Sequence, residues 1–249
     1  MIKGSIGKKV IGKFSILLLC TFLLTSCSAE NYVQGVILDK VNVAGIQDFS
    51  PTQDKKVATL KELPDYLKMA FVVTEDKRFY EHKGVDPKGI LRALYRDVLA
   101  GSKSEGASTI TQQLARNVFL SSEKTFTRKS KEIVYAIELE RKYSKDEILE
   151  MYLNHIYFGS GSYGIQAAAQ EYFGKDAKDL TIAESALLAG LPKAPSKYSP
   201  RNNIELAKER RSIVLSLMEE NHIISKEEEE EEEEEANKQE ILLTKKALE

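Results

Sequence analysis

The sequence predicts a mainly α-helical domain, and three observations carry that expectation. Apolar residues return at helical spacing from Leu63 onward, two hydroxyl-to-glutamate capping signals stand ahead of apolar runs, and Pro192 and Pro195 break the chain between two of those runs. At 249 residues with 42% hydrophobic side chains, the chain is long enough for one good-sized domain with appendages.

Residues 1–27 read as an export segment. Lys3, Lys8, Lys9 and Lys13 precede an apolar run over residues 14–24, the charged and apolar parts of a signal. Eleven residues at about 1.5 Å each fall short of a hydrocarbon core of ~30 Å unless flanking residues are recruited. The run ends in Leu24-Thr25-Ser26-Cys27, which resembles the lipobox of bacterial lipoproteins, whose cysteine is lipidated. Lipidation at Cys27, an uncleaved signal anchor and a released secreted protein are the three alternatives, and all place the domain outside the cytoplasm. Cys20 and Cys27 are the only cysteines, so the exported part has neither a disulfide nor a thiol nucleophile.

Residues 28–59 show no sustained period and read as a linker, with a short strand around 36–43. After Pro64, the spacing of Leu67, Ala70, Phe71 and Thr74 predicts a helix that delivers Glu75 at its end. Ser144 with Glu147 forms a capping box ahead of Ile148, Leu149, Tyr152 and Leu153, and Thr181 with Glu184 repeats it ahead of residues 186–191. Residues 204–220 predict a last amphipathic helix with Ile213, Leu217 and Met218 on its apolar stripe. The tail, 223–249, carries nine consecutive glutamates from Glu227 to Glu235, and self-repulsion predicts a solvated segment or a lone helix that adds nothing to a core.

The net charge of −2 hides that asymmetry. Residues 88–131 hold nine Lys/Arg against three Asp/Glu, which suits an anionic ligand, an anionic membrane surface or a plain solvated face; composition does not decide among them.

Four segments gather the residue types that do chemistry. Residues 75–86 run from a carboxylate pair, Glu75 and Asp76, through Phe79 and His82 to Gly84 and Asp86. Residues 106–117 supply Thr109, Gln113 and Asn117 at i, i+4, i+8, a polar helix stripe, with Arg116 beside it. Arg128 and Glu132 are four apart and Lys129 is one residue round, which alone would be an ordinary surface ion pair. The fourth segment runs from Glu147 through Tyr152-Leu153-Asn154 to Gly159, Gly161 and Gly164. Those glycines satisfy G-x-G-x-x-G, but they follow a capped helix and not a strand, and Glu184 is already explained as a cap; a nucleotide site is not expected, nor is nucleic acid a partner. His155 and His222 are isolated, and there is no clustered Cys/His metal signature.

With the Leu191-Pro192-Lys193-Ala194-Pro195-Ser196 element, these segments in this order resemble the glycosyltransferase domain shared by monofunctional peptidoglycan polymerases and the N-terminal half of bifunctional penicillin-binding proteins, over residues 60–222. Arg116 stands where many relatives carry Lys, and Ala107 where a Gly is often seen. The resemblance implies a lysozyme-like, two-lobed helical domain with a membrane-proximal small lobe, about residues 92–126, touching the bilayer through side chains such as Val118, Phe119, Leu120 and Phe126.

What the resemblance implies chemically is polymerisation of lipid II into a β-1,4 glycan strand, with inversion and release of polyprenyl diphosphate. Such a reaction needs a base for the acceptor hydroxyl and cations for the departing phosphates, but no strong general acid. The base role falls to Glu75, with Glu132 as the second catalytic carboxylate facing it across a cleft. Asp76, Thr109, Gln113, Arg116, Asn117, Arg128 and Lys129 are implied as substrate-binding, while Phe79 and His82 read as structural residues near the site. No cofactor is obligatory; a divalent cation, Mg or Mn, on Glu132 is the one option. Implied partners are lipid II, the growing glycan strand, the membrane and cell-wall synthesis proteins, at the extracytoplasmic side of a bacterial envelope. No penicillin-binding domain is expected, so the enzyme would be monofunctional. The rival readings are a lytic muramidase-type hydrolase and a non-catalytic cell-wall lipoprotein.

Overall fold

The computed structural model describes residues 57–100, 106, 108–120 and 125–246. Cys20, Cys27, the strand expected around 36–43, Ala107 and the Phe126 side chain lie outside what is described. In chain order the elements are α1 (Asp65–Glu75), a 3₁₀ turn (Phe79–Glu81), α2 (Pro87–Ala100), α3 (Ile110–Phe119), α4 (Phe126–Lys142), α5 (Lys145–His155), strands β1 (Tyr157–Gly159) and β2 (Ser162–Tyr163), α6 (Ile165–Phe173), a 3₁₀ turn (Ala177–Asp179), α7 (Ile182–Gly190), α8 (Pro195–Tyr198), α9 (Ile204–Glu220) and α10 (Lys226–Lys246). The mainly α expectation holds.

The helix starts are chemical. Ser144 and Thr181 cap α5 and α7 through full capping boxes with Glu147 and Glu184, as their spacing predicts. A third box, Thr109 with Gln112, starts α3. Pro64 occupies the N-cap of α1, and Asp65 in the first turn suits the positive end of the helix dipole.

Helix α7 is buried from Ala183 to Gly190, on every side, which makes it the central helix of the core. It packs against α1 and α9, while α3 packs against α4 and α5. Phe71 of α1 bridges the two groups, meeting Tyr152 of α5 and Phe158 of β1 edge-on with ring centres 6.5 and 5.9 Å away.

The glycine run of residues 159–164 makes a hairpin and the start of α6. Strand β1 pairs antiparallel with β2, and Gly159, Ser160 and Gly161 all have positive φ. At Gly164, φ is +86° and a Cβ would lie 2.6 Å from the Asn154 carbonyl oxygen, so only glycine fits.

Three expectations need correcting. Ile213 of α9 is 52% exposed; the buried face is Ala207, Arg210, Arg211, Val214, Leu215 and Met218, a stripe that includes two arginines. Hydropathy misplaces the stripe because it does not count arginine as core-facing. Val118, Phe119 and Leu120, expected to face a bilayer, are partly buried against the core, and Phe119 stacks on Tyr135 at 5.2 Å, so packing takes up part of their surface. The glutamate tail is no lone helix. Starting from a Ser225–Glu228 cap, α10 lies on α7 and α9, where Glu232 accepts from the Ala183 N–H at 2.9 Å and Glu229 from the Ser216 hydroxyl at 2.6 Å.

Candidate active site

Glu75 is the last residue of α1, where the chain leaves the helix through Asp76. Its half-buried carboxylate accepts from Gln113 Nε2 at 2.8 Å. Burial raises its pKa above the ordinary 4.5, opposed by the Gln113 N–H and by the positive charges of Arg210, Lys193 and Arg116. Burial thus favours the neutral acid, while the amide and the surrounding cations favour the anion.

Asp76, one residue on, does something else. It is 7% exposed, and both carboxylate oxygens meet His82 Nε2 at 3.0 and 2.9 Å while Oδ2 also accepts the Ile110 N–H at 3.0 Å. Bonded to a histidine and to the first turn of α3, Asp76 anchors that helix start. Thr109 is likewise tied into the protein. Its hydroxyl caps α3 and donates to the Gly84 carbonyl at 2.6 Å. Phe79 is fully buried and His82 nearly so, as structural neighbours of the site should be.

The second carboxylate, Glu132, is fully buried in α4. Arg128 Nη1 donates to its Oε2 at 2.8 Å, and Lys129 Nζ pairs with its Oε1. Lys129 Nζ also donates to the Ser108 hydroxyl at 3.0 Å. Arg128 Nε is buried with no hydrogen-bond partner among the described residues, an unmet donor that an anionic oxygen would satisfy. A divalent cation on Glu132 does not fit, because both oxygens of that carboxylate already hold cationic side chains. No group of three or more His, Cys, Asp or Glu among the described residues is placed to supply a replacement donor set.

The segment from Ser108 to Gln113 joins the two carboxylates. Ser108 reaches Lys129 of the Glu132 cluster, Ile110 docks on Asp76, and Gln113 reaches Glu75. Thr111 adds a bond to Glu140 of α4 at 2.6 Å, and Lys145 of α5 pairs with the same carboxylate at 2.7 Å. Among the residues named from sequence, Glu75, Gln113 and Arg116 come together, as do Arg128, Lys129 and Glu132. Asn117 is exposed, and among the described residues it bonds to neither network.

Lys193, Arg210 and Tyr152 lie beside Glu75 and Gln113, and sequence reasoning gave none of them a role. Lys193 stands in the Leu191-Pro192-Lys193 element, which offered a signal. Arg210 offered a weaker one, a cation in register with an apolar stripe. It is 8% exposed, its Nε donates to the Gly190 carbonyl at 3.3 Å, and a Cβ at Gly190 would lie 2.8 Å from its Cγ. Tyr152 is fully buried and donates to Gln113 Oε1 at 3.4 Å. Nothing in its helical spacing separates it from a core residue.

A family model described as Transglycosylase matches residues 42–219. Penicillin-binding protein 1F of Bacillus subtilis (strain 168) is 49% identical over 213 residues, covering 85% of this chain and 29% of that protein. Penicillin-binding protein 1A of Vibrio cholerae serotype O1 is 57% identical over 165 residues, 66% of this chain and 20% of that protein. The crystal structure of Penicillin-binding protein 1A from Haemophilus influenzae shares 40% identity over 50% of this chain and 15% of that one, with a TM-score of 0.35. The chain spans less than a third of the length of these curated relatives.

Proposed function

The chain belongs to the transglycosylase family, the peptidoglycan glycosyltransferases, and from that premise we propose that it extends a glycan strand from a lipid-linked disaccharide diphosphate, lipid II, with Glu75 as the general base. The observation that carries this reading is the Glu75 carboxylate, half-buried, held by Gln113 and surrounded by Arg116, Lys193 and Arg210.

In the step itself, the acceptor sugar hydroxyl gives its proton to Glu75 and its oxygen forms a bond to the anomeric carbon of the donor. The bond from that carbon to the diphosphate oxygen breaks, and the electron pair leaves with the diphosphate. Attack opposite the leaving group inverts the α-linked donor to a β-linked product. Charge growing on the phosphates is met by cations, and Arg128, with its unmet Nε–H, and Lys129 are the side chains suited to it. Glu132 orients both, holding them through its two oxygens.

Lipid substrates imply a membrane surface. Leu91 and Tyr95 of α2, 43% and 66% exposed and four residues apart, share a helix face with exposed Lys88 and Arg92 near it, a better contact with an anionic bilayer than residues 118–120. No helix among the described residues is long and apolar enough to cross a membrane. Attachment through Cys27 or through an uncleaved signal would supply the tether, at the extracytoplasmic side of a bacterial envelope, beside the growing glycan strand and cell-wall synthesis proteins. Mass spectrometry of the mature N-terminus tests the first, since Cys27→Ser abolishes any acyl mass.

Incubating the purified chain with lipid II and, in parallel, with finished glycan tests the activity. Polymer from the first and no cleavage of the second is the expected result; cleavage without synthesis would replace this reading with a hydrolase.

A further inference from the structure

The amide that holds Glu75 is itself held from the other side. Gln113 Nε2 donates to Glu75 Oε2 at 2.8 Å, and the Tyr152 hydroxyl donates to Gln113 Oε1 at 3.4 Å. A carboxamide has one accepting end and one donating end, so its two neighbours together choose how it is turned. Were it turned over, its oxygen would face the Glu75 oxygen, an arrangement tolerated only if Glu75 carried a proton.

We propose that Tyr152 is a positioning residue for the base: by donating to Gln113 Oε1 it keeps the Gln113 N–H directed at Glu75. This deepens the reading of Glu75 as the base and rests on it. Two features suit Tyr152 to the task. Its ring is fully buried and braced edge-on by Phe71, which lies one helical turn before Glu75 on α1, so the hydroxyl has a fixed place relative to the carboxylate. A buried phenol also needs a partner, and Gln113 is the one it has among the described residues. Burial and the nearby Glu75 charge raise its pKa well above 10, so it remains a donor throughout the working range. The other charged groups facing this assembly are Arg116 from α3, Lys193 after α7 and Arg210 from α9 on the Glu75 side, with Asp76 facing Tyr152.

The test is Tyr152→Phe in the full chain, alone and combined with Gln113→Leu, read by the pH profile of lipid II polymerisation and by titration of the ¹³C-labelled Glu75 carboxyl. Phenylalanine keeps the ring contact and removes only the hydroxyl. The expected result is a fall in kcat of about tenfold, the scale of one lost hydrogen bond, with KM little changed. The acid limb and the Glu75 titration both move to higher pH, and in the Gln113→Leu background Tyr152→Phe adds nothing. An unmoved Glu75 titration, or a full repeat of the Tyr152→Phe effect without Gln113, overturns the inference. A titration that moves while Glu75→Gln still polymerises would leave the positioning intact and overturn the assignment of the base instead.

Discussion

Glu75 and Asp76 are neighbours in the chain whose carboxylates enter separate networks: Glu75 accepts an amide N–H from Gln113 at 2.8 Å, while Asp76 meets His82 and the Ile110 N–H at 2.9 to 3.0 Å. The turn out of α1 sends one toward the cations and the other into the protein. Two adjacent acids thereby have different surroundings, and the proposed base is the one beside the cations.

The pH dependence follows from the first of them. Burial is the largest influence on Glu75 and raises its pKa above 4.5, so activity should fail, as pH drops, at a higher pH than an ordinary glutamate would dictate. The folded-state value is above the unfolded one, so the stability this group contributes is complete below about 4.5 and is lost as pH rises through the raised value. Glu75→Gln should therefore be inactive yet more stable than the parent at neutral pH, with the gap closing toward pH 4. Thermal midpoints across that range check this; a gap independent of pH would count against it.

Asp76→Ala removes the acceptor for a buried histidine and for an α3 backbone donor. It should cost roughly 2–4 kcal/mol in urea unfolding, and Asp76→Asn, which keeps one acceptor oxygen, clearly less. A cost below about 1 kcal/mol for alanine would show that Asp76 does not anchor α3.

Arg128→Met should lower polymerisation by about 10²-fold or more, as expected for losing a donor aimed at developing charge. Arg128→Lys should restore little, since lysine cannot both hold Glu132 Oε2 and present a second planar N–H to phosphate. Steady-state rates with lipid II decide the point, and full recovery with lysine would reduce Arg128 to a point charge.

Within the run of nine glutamates, Glu232 bonds to α7 and Glu229 to α9. Glu232→Ala should destabilise by about 1 kcal/mol, the scale of a lost helix-terminal acceptor, because Glu232 meets the first turn of α7 at Ala183. Glu231→Ala, on the exposed side of α10, should stay within about 0.5 kcal/mol of the parent. Equal effects at the two positions would mean that α10 is not docked.

By itself the sequence determined the helical class, the capped starts at Ser144 and Thr181, and the family, because capping and amphipathic period are local and five motifs in order are specific. It also named Glu75, Gln113, Arg116, Arg128, Lys129 and Glu132, whose residue types fit the chemistry. Only the tertiary structure decided which neighbouring carboxylate faces the cations, that Thr109 is a cap, that Arg210 reaches past Gly190 from the buried side of α9, and that Glu232 and Glu229 of a uniform run touch α7 and α9. Those outcomes depend on what a side chain meets across the fold. A linear pattern records a residue's spacing from its own helix and nothing about the partner that arrives from 30 or 100 positions away.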